Sequence, residues 1–271
     1  MSPDPLLHHG EIKAPGSSPE RWALLLHGIY GAGRNWASVF RKMVQDRPDL
    51  GVLTVDLRGH GDSPALSPPH TVEACAADLG PVAQAGPYAV AAVLGHSFGG
   101  KVALVRAATA ETPPEQVWVI DSTPDARPPS GSAWRMLEVL KKLPGPFADR
   151  GAAVSAVEVA GFPRPVAQWM ATNAVRREGG WHWRLDPGQM EAMLISFFET
   201  DAWEIVESPP LGAHIHFVKA TESGILTGDA TERIQAAGAE TDRVHLHEVD
   251  GGHWLNADNP GALQDLLSQW L

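Results

Sequence analysis

Short runs of apolar residues alternate with segments of helical spacing through the first half of the chain. The apolar runs cover residues 22–26, 52–55, 89–94 and 117–120. The helical segments between them cover residues 36–45, 71–84 and 101–110. Nearly continuous apolar runs separated by helices are typical of parallel strands covered on both faces, joined by right-handed crossovers. The pattern predicts an α/β fold with a doubly wound, mostly parallel sheet.

The alternation is interrupted after Asp121. Residues 123–131 are rich in Pro and Ser, as in a linker, and residues 132–203 contain helical patterns but no convincing strand. Strand patterns resume at residues 214–218 and 244–249, and a helical pattern over residues 260–271 closes the chain. We therefore predict a helical cap over residues 132–203. It is inserted into a core domain that comprises residues 1–131 and 204–271.

The composition is that of a globular protein, because hydrophobic residues make up 44% and charged residues 20% of the 271 positions. A formal net charge of −11 with scattered Lys and Arg argues against a nucleic-acid partner. Cys75 is the only cysteine, which excludes an internal disulfide. Residues 1–10 lack a signal-peptide pattern, and no apolar run approaches the roughly 20 residues that cross a membrane. We expect a cytoplasmic monomer or small homo-oligomer without membrane insertion.

The motif Gly95-His96-Ser97-Phe98-Gly99 stands between a predicted strand and a predicted helix. A serine in a G-x-S-x-G motif at such a junction lies on a sharp turn, with its hydroxyl raised above the sheet. The flanking glycines let the backbone turn without steric conflict. Ser97 is therefore the candidate nucleophile.

A serine hydroxyl needs a neighbouring base, and the base needs a carboxylate that orients it. His253 follows the last predicted strand, at the sheet edge where open α/β sheets bind their ligands. Asp121 directly follows another strand and is the favoured acid. Glu222, after the strand at 214–218, and Asp229 are the alternatives. With any of these three acids, the order along the chain is serine, acid and histidine, which is the order that this architecture uses.

The attacked carbonyl oxygen becomes negatively charged and needs fixed N–H donors. Phe98 follows the nucleophile at the start of a helix, so its N–H and the helix dipole meet that charge. The second donor is expected in His27-Gly28-Ile29-Tyr30-Gly31, which follows the first buried strand. We assign the N–H of Ile29, with that of Tyr30 as the alternative.

Apolar side chains of the predicted cap are candidates for the wall of an acyl pocket. Trp181 and Trp183 follow two glycines and form the most exposed aromatic set, and His27, Tyr30 and Trp254 are further substrate-binding candidates. An apolar entrance above a serine favours uncharged acyl esters, with thioesters as an alternative. The chain has no H-E-x-x-H pair, cysteine cluster or phosphate-binding loop, so we expect no metal and no cofactor.

Together, four motifs resemble those of the α/β-hydrolases over nearly the whole chain. They are His27-Gly28, Asp56-Leu57-Arg58-Gly59-His60-Gly61-Asp62-Ser63, Gly95-His96-Ser97-Phe98-Gly99-Gly100 and Gly252-His253-Trp254. Within that superfamily the chain is most similar to the small bacterial esterases that accept acyl esters and acyl-CoA thioesters, and to their mitochondrial relatives. The resemblance implies a cofactor-free, two-step acyl transfer.

The resemblance also bears on individual residues. It implies an acid after the strand that follows the nucleophile helix, which supports Asp121, and an auxiliary hydrogen-bonding role for Ser223. Position 222 is Glu, whereas such proteins more usually have Asn before this serine. The identity of the acid therefore stays open between Asp121 and Glu222. The loop at residues 56–63 is structural in such proteins. A carbon–carbon bond hydrolase, a haloperoxidase-like enzyme, an acyltransferase and a non-hydrolytic binding protein of this fold are the alternative functions.

Overall fold

The computed structural model describes residues 5–271. Residues 1–4, which belong to the segment without a signal-peptide pattern, lie outside the described residues. The strands are β1 (His9–Ile12), β2 (Arg21–Leu26), β3 (Leu50–Val55), β4 (Val90–His96), β5 (Gln116–Ile120), β6 (Ala174–Arg177), β7 (Gly180–Trp183), β8 (His214–Ala220) and β9 (Val244–Val249). The α-helices are α1 (Ala37–Asp46), α2 (Val72–Ala77), α3 (Leu79–Gln84), α4 (Phe98–Thr109), α5 (Gly131–Lys142), α6 (Arg150–Val159), α7 (Arg164–Met170), α8 (Pro187–Glu199), α9 (Trp203–Glu207), α10 (Gly228–Thr241), α11 (Leu255–Asp258) and α12 (Pro260–Trp270).

Seven strands form the central sheet in the order β1-β3-β2-β4-β5-β8-β9. All neighbours pair in parallel except β1, which runs antiparallel to β3 at one edge. The predicted doubly wound, mostly parallel sheet is confirmed. The four-residue strand β1 was missed because so short an edge strand leaves little periodic signal in the sequence.

The sheet is buried on both faces, as the continuous apolar runs indicated. Along β2, Leu24 and Leu26 pack into the cluster beneath α2–α4, whereas Ala23 and Leu25 pack into the cluster beneath α1 and α12. Successive strand residues point to opposite faces, so a strand covered on both sides needs apolar residues at every position. This layering fixes the sheet rigidly and leaves its carboxyl-terminal edge open for loops.

Two helical predictions need correction. The pattern at residues 71–84 forms two short helices, α2 and α3, that meet at Asp78, instead of one. Pro81 explains the break, because proline has no backbone N–H and is accommodated only in the first turn of a helix. Within residues 132–203, the helical pattern from residue 166 predicts a helix up to residue 177, but α7 ends at Met170 and leads into strand β6.

The segment between β5 and β8 contains helices α5–α9 and also an antiparallel hairpin, so the prediction that it holds no strand was wrong. Strands β6 and β7 pair from Ala174 opposite Trp183 to Arg177 opposite Gly180. Glu178 and Gly179 form the connection, and Gly179 has a φ of 84°. Glycine adopts this left-handed conformation readily, which permits a tight two-residue hairpin. The Gly179-Gly180 pair was the available sequence signal.

Four histidines lie on one face of β8 and β9, since each strand carries two of them at alternate positions. The imidazoles contact in pairs, with 3.2 Å between His214 Nδ1 and His245 Nε2 and 3.1 Å between His216 Nδ1 and His247 Nε2. His216 stacks on Trp118 at 4.3 Å between ring centroids. Burial first, and the neighbouring histidines second, lower the pKa of His216 to about 3.

This cluster predicts loss of stability in acid. Below pH 6.5 an unfolded His216 binds a proton that the folded protein excludes until about pH 3, so the free energy of unfolding falls as the pH drops through that range. Replacing His216 by Phe should reduce this slope by up to about 1.4 kcal/mol per pH unit. Urea unfolding at several pH values measures it. An unchanged slope in the variant would contradict the account, and above pH 6.5 both proteins should show the same slope.

Candidate active site

Ser97 lies on the turn between β4 and α4 with strained backbone angles, φ 53° and ψ −117°. Its N–H donates to the carbonyl of Ile120 at 3.0 Å, which ties the turn to the neighbouring strand. The turn is tight because Gly95 and Gly99 meet across it: a Cβ on Gly95 would lie 1.9 Å from the Gly99 carbonyl oxygen. The motif therefore places the serine hydroxyl at the carboxyl-terminal edge of the sheet.

His253 lies between Ser97 and Asp121 and is bonded to both. Its Nε2 is 3.2 Å from Ser97 Oγ, and its Nδ1 is 2.6 Å from Asp121 Oδ2. The short loop between β9 and α11 carries this histidine. The predicted nucleophile, base and favoured acid are thus brought together in one hydrogen-bonded chain, with the imidazole in the middle.

The carboxylate of Asp121 is completely buried and is held by three donors. Oδ2 accepts from the hydroxyl of Ser223 at 2.6 Å as well as from His253, and Oδ1 accepts from the Ala220 N–H at 3.3 Å. A buried carboxylate is tolerated when its oxygens are hydrogen-bonded in this way. The structure therefore places Ser223 where an auxiliary group is expected.

Neither alternative acid reaches the histidine. Glu222 is exposed, and only its backbone N–H is engaged, with the carbonyl of Gly251 at 2.9 Å. Asp229 is exposed in the first turn of α10. Both follow β8 rather than β5. The Asp121 side chain lies beneath the imidazole because β5 is next to β4, the strand that carries Ser97.

His96 belongs to the site but was not among the predicted site residues. Its Nε2–H donates to the backbone carbonyl of His253 at 2.7 Å, and the two rings lie 4.7 Å apart. Burial first, and then the charge of His253, lower the pKa of His96 to about 3, so this ring is neutral at neutral pH. His96 therefore anchors the backbone of His253. Its position directly before Ser97 was the only sequence signal.

Two backbone N–H groups near Ser97 are unoccupied within residues 5–271, those of Ile29 and Phe98. The N–H of Tyr30, the alternative donor, is engaged: it donates to His60 Nε2 at 3.0 Å. Gly28 lets the loop pass close to the serine, because a Cβ there would lie 3.2 Å from the Ser97 Cβ. Free donors on two sides of a serine hydroxyl can stabilise an oxyanion.

Two cavities meet above Ser97, Ile29 and His253. The larger, about 510 Å³, is mainly apolar, with walls that include Met136, Phe162, Pro163, Val166, Trp169 and Trp254. The smaller is about 250 Å³ and lies beneath the start of α5 and the end of α8. A carbonyl group at Ser97 can therefore direct its two substituents into different compartments.

The predicted substrate-binding residues divide into two groups. His27, Tyr30 and Trp254 line the larger cavity. Trp181 and Trp183 line neither cavity. Trp183 is buried, with its indole N–H bonded to the carbonyl of Leu143 at 2.7 Å. Both tryptophans belong to the hairpin strand β7, where pairing with β6 directs them into packing within the inserted segment.

Comparison with known proteins identifies the family. A family model described as the alpha/beta hydrolase family matches residues 23–266. The chain belongs to this family. It is 30% identical over 263 residues to the sn-1-specific diacylglycerol lipase ABHD11 of Mus musculus, covering 92% of this chain and 80% of that protein. The protein of the same name from Danio rerio is 28% identical over 245 residues, covering 88% and 74%.

A solved structure described as a marine microorganism esterase has the same fold as this alpha/beta hydrolase. The TM-score is 0.83, with 22% sequence identity, over 98% of this chain and 99% of the other. The resemblance deduced from the four motifs is confirmed at the level of the family and the fold.

Two further histidines of this alpha/beta hydrolase hold the loops around the site. The His27 ring bonds the Gly28 carbonyl through Nδ1 at 2.8 Å and accepts the Leu57 N–H through Nε2 at 3.0 Å. His60 bonds the Arg58 carbonyl at 2.9 Å. Burial lowers the pKa of both rings, that of His60 to about 3. Their neutral rings join the loop after β2 to the loop after β3.

One group of side chains within residues 5–271 has the spacing of metal ligands: His8, Asp56 and Asp62. Their oxygen atoms are already committed. Asp56 accepts the N–H of Gly33 at 2.7 Å and that of Asp62 at 2.9 Å, and the Asp62 carboxylate pairs with Arg184. These bonds account for the positions of Asp56 and Asp62 within the loop at residues 56–63.

The close approach at Gly95 generates a stability prediction. Replacing Gly95 by Ala should lower the free energy of unfolding by at least about 3 kcal/mol, because the new methyl group meets a backbone oxygen that cannot move away. Gly261 is the matched control: it is exposed in α12 with nothing within 4 Å of its Cβ position. There Ala should be neutral or stabilising by up to about 1 kcal/mol. Equal denaturation midpoints for the two variants would contradict the account.

Proposed function

We propose that this alpha/beta hydrolase cleaves carboxylic esters of small to medium acyl chains through an acyl-enzyme on Ser97. The observation that carries the proposal is the hydrogen-bonded chain from Ser97 through His253 to Asp121, placed where two cavities meet. A hydroxyl, an imidazole and a buried carboxylate in this order form the arrangement that activates serine for acyl transfer.

In the first half of the reaction, Ser97 Oγ attacks the ester carbonyl while His253 Nε2 takes its proton. The carbonyl oxygen gains a negative charge, which the free N–H groups of Ile29 and Phe98 stabilise. Asp121 holds the ring in the tautomer with the proton on Nδ1 and stabilises the imidazolium. Collapse of the intermediate breaks the bond to the alcohol oxygen, which receives the proton from His253.

In the second half, water attacks the acyl-enzyme. His253 Nε2 takes a proton from this water, the same N–H groups hold the second oxyanion, and Ser97 leaves with the proton that His253 returns. The products are an alcohol, which retains the bridging oxygen of the ester, and a carboxylic acid, which retains the acyl carbon. Every proton moves through His253 Nε2, so the reaction requires only the residues of this chain and water.

The larger cavity is the proposed acyl site. Its aliphatic and aromatic walls suit a hydrocarbon chain, which gains free energy by leaving water. The name of the vertebrate relatives, diacylglycerol lipases, supports an acyl ester as substrate. Thioesters remain within the proposal because the same steps release a thiol.

The proposal extends to the predicted setting of the enzyme, a cytoplasmic monomer or small homo-oligomer with a small-molecule substrate and no cofactor. Among the helices of residues 5–271, none combines the length and apolar character needed to cross a membrane.

Exchange of each candidate acid for its amide tests the proposal. Asp121→Asn should lower kcat for p-nitrophenyl butyrate by about 10⁴-fold, because the amide cannot maintain the required imidazole tautomer. The control Glu222→Gln should change it by less than about twofold, because the Glu222 side chain is exposed and forms no hydrogen bond or ion pair with the imidazole.

If Glu222→Gln lowered kcat more than Asp121→Asn, the acid would be Glu222, which follows β8, instead of Asp121. If the wild-type protein failed to cleave any p-nitrophenyl ester, ester hydrolysis itself would be contradicted. Product analysis with a diketone substrate would then detect carbon–carbon bond cleavage by the same residues.

A further inference from the structure

The smaller cavity differs from the larger in its chemistry. Beside Ser97 and His253, its polar lining residues are Ser122, Arg127, Ser130 and Ser132, and most of its other lining residues are apolar. An arginine and three serines, of which Ser132 also borders the larger cavity, thus surround part of a space of about 250 Å³ that opens directly onto Ser97. The larger cavity also has an arginine in its wall, Arg135, but together with an acid, Asp258, whereas the lining of the smaller cavity includes Arg127 and no acidic residue among residues 5–271.

Arg127 has no partner for its charge. Its guanidinium forms no hydrogen bond or ion pair with any of residues 5–271, and its Nε is buried without an acceptor. The backbone of Arg127 is fixed, because its N–H donates to the Phe198 carbonyl at 2.8 Å, and the guanidinium lies over the Phe198 ring at 5.8 Å. The side chain is therefore held at the cavity with its hydrogen-bonding capacity unused.

The two cations that are buried within residues 5–271, Lys101 and Arg58, are both engaged. Lys101 donates from Nζ to three carbonyl oxygens, at 2.5 to 2.7 Å, and Arg58 forms a salt bridge with Asp78 at 2.7 Å. Asp125, the acid nearest to Arg127 in the sequence, is committed to Trp203 Nε1 and to Thr123 Oγ1, each at 2.7 Å. Because buried donors are normally satisfied, Arg127 stands out as a group that awaits an acceptor.

A second unpaired donor lines the same cavity. Ser122 is completely buried, and its Oγ has no hydrogen-bond partner in the described part of the chain. It directly follows the buried Asp121, whose contacts fix the backbone at this point. A buried hydroxyl without a partner costs free energy, and an oxygen acceptor in the cavity would recover it.

We propose that the smaller cavity binds an anionic oxygen group of the substrate, a carboxylate or a phosphate, through Arg127 and Ser122. The inference rests on the proposed ester hydrolysis at Ser97. It assigns amphiphilic esters as the substrate class, with an apolar chain in the larger cavity and an acidic group on the other side of the scissile carbonyl. It replaces the expectation of wholly uncharged esters drawn from the sequence.

The choice of an anion follows from the permanent charge of arginine. A guanidinium forms its strongest hydrogen bonds with carboxylate or phosphate oxygens, often two at once. A neutral amide or hydroxyl group in the cavity would satisfy Ser122 but leave the charge of Arg127 uncompensated. Carboxylate and phosphate share the chemistry that Arg127 recognises, so both appear in the test.

The test compares kcat/KM for esters that differ only in charge. One pair is the p-nitrophenyl half-ester of adipic acid and its terminal carboxamide, with the charge on the acyl side. The other is butanoyl glycerol phosphate and butanoyl glycerol, with the charge on the alcohol side. The pair that the wild-type protein discriminates identifies the source of the anion. In that pair, Arg127→Met should lower the preference for the charged ester by about 10- to 100-fold.

Two further variants make the result specific. Ser122→Ala should lower the same preference by about 3- to 10-fold, as expected for a neutral donor. Arg177→Met is the matched control, because Arg177 is an exposed arginine of the hairpin that lines neither cavity. It removes the same net charge and should leave the preference unchanged. An Arg127→Met enzyme with the wild-type preference in both pairs would overturn the proposal.

A binding measurement separates this proposal from the proposed reaction. In the Ser97→Ala background, calorimetry with the intact charged and neutral esters reports affinity without turnover. The charged ester should bind more tightly, and adding Arg127→Met should remove the difference. Turnover that depends on Ser97 with no charge preference would contradict only the anion site. Charge-selective binding without turnover in the wild-type protein would contradict only the hydrolysis.

Discussion

The parallel register of β4, β5, β8 and β9 determines where Ser97, Asp121 and His253 lie relative to one another. His96 pairs with Ile120, and Ile120 pairs with Val218, so these strands end at the same level. Backbone hydrogen bonds continue past the strand ends, from Ser97 N–H to Ile120 and from Asp121 N–H to Val218. The residues that follow the strands are therefore fixed neighbours, and a one-residue slip of β5 would separate Asp121 from His253.

This edge combines backbone strain with many hydrogen bonds between its loops. Tyr30, Ser97 and Asp121 all have positive φ, which costs free energy for residues other than glycine. Around them, His27, His60 and His96 are buried, and burial lowers their pKa values. The neutral rings of His27 and His60 each bond two backbone groups between loops, and that of His96 donates to the His253 carbonyl. The strained turns persist because the hydrogen bonds of these rings and of the strands hold them on several sides. Arg127 and Ser122 depart from this rule, and this is why they point to a ligand.

Local motifs were sufficient for the residues whose roles depend on a single turn. Ser97 and His253 could be located because each lies at a strand end in a glycine-rich sequence. The choice between Asp121 and Glu222 could not be made in this way, because each follows a strand of the same sheet. It depends on which strand lies next to β4, a property of the sheet order.

Other features depended on contacts between distant segments. The hairpin of β6 and β7 has only four residues per strand, which is a weak signal in the sequence. Its tryptophans were expected to be exposed, but Trp183 is buried. Tyr30 appeared to be a free donor because its partner, His60, lies in another loop. No sequence signal could show that the buried Nε of Arg127 has no hydrogen-bond partner among residues 5–271, because this depends on all the side chains that surround it.

Detection of the covalent intermediate tests the central claim, that Ser97 is acylated and deacylated by way of His253 and Asp121. Rapid mixing of the wild-type protein with p-nitrophenyl butyrate, followed by acid quenching and peptide mass spectrometry, should show a nitrophenol burst and a butanoyl group on the peptide that contains Ser97. Ser97→Ala should show neither the burst nor the modified peptide. Undiminished turnover by Ser97→Ala, or a butanoyl group on another side chain, would contradict the account.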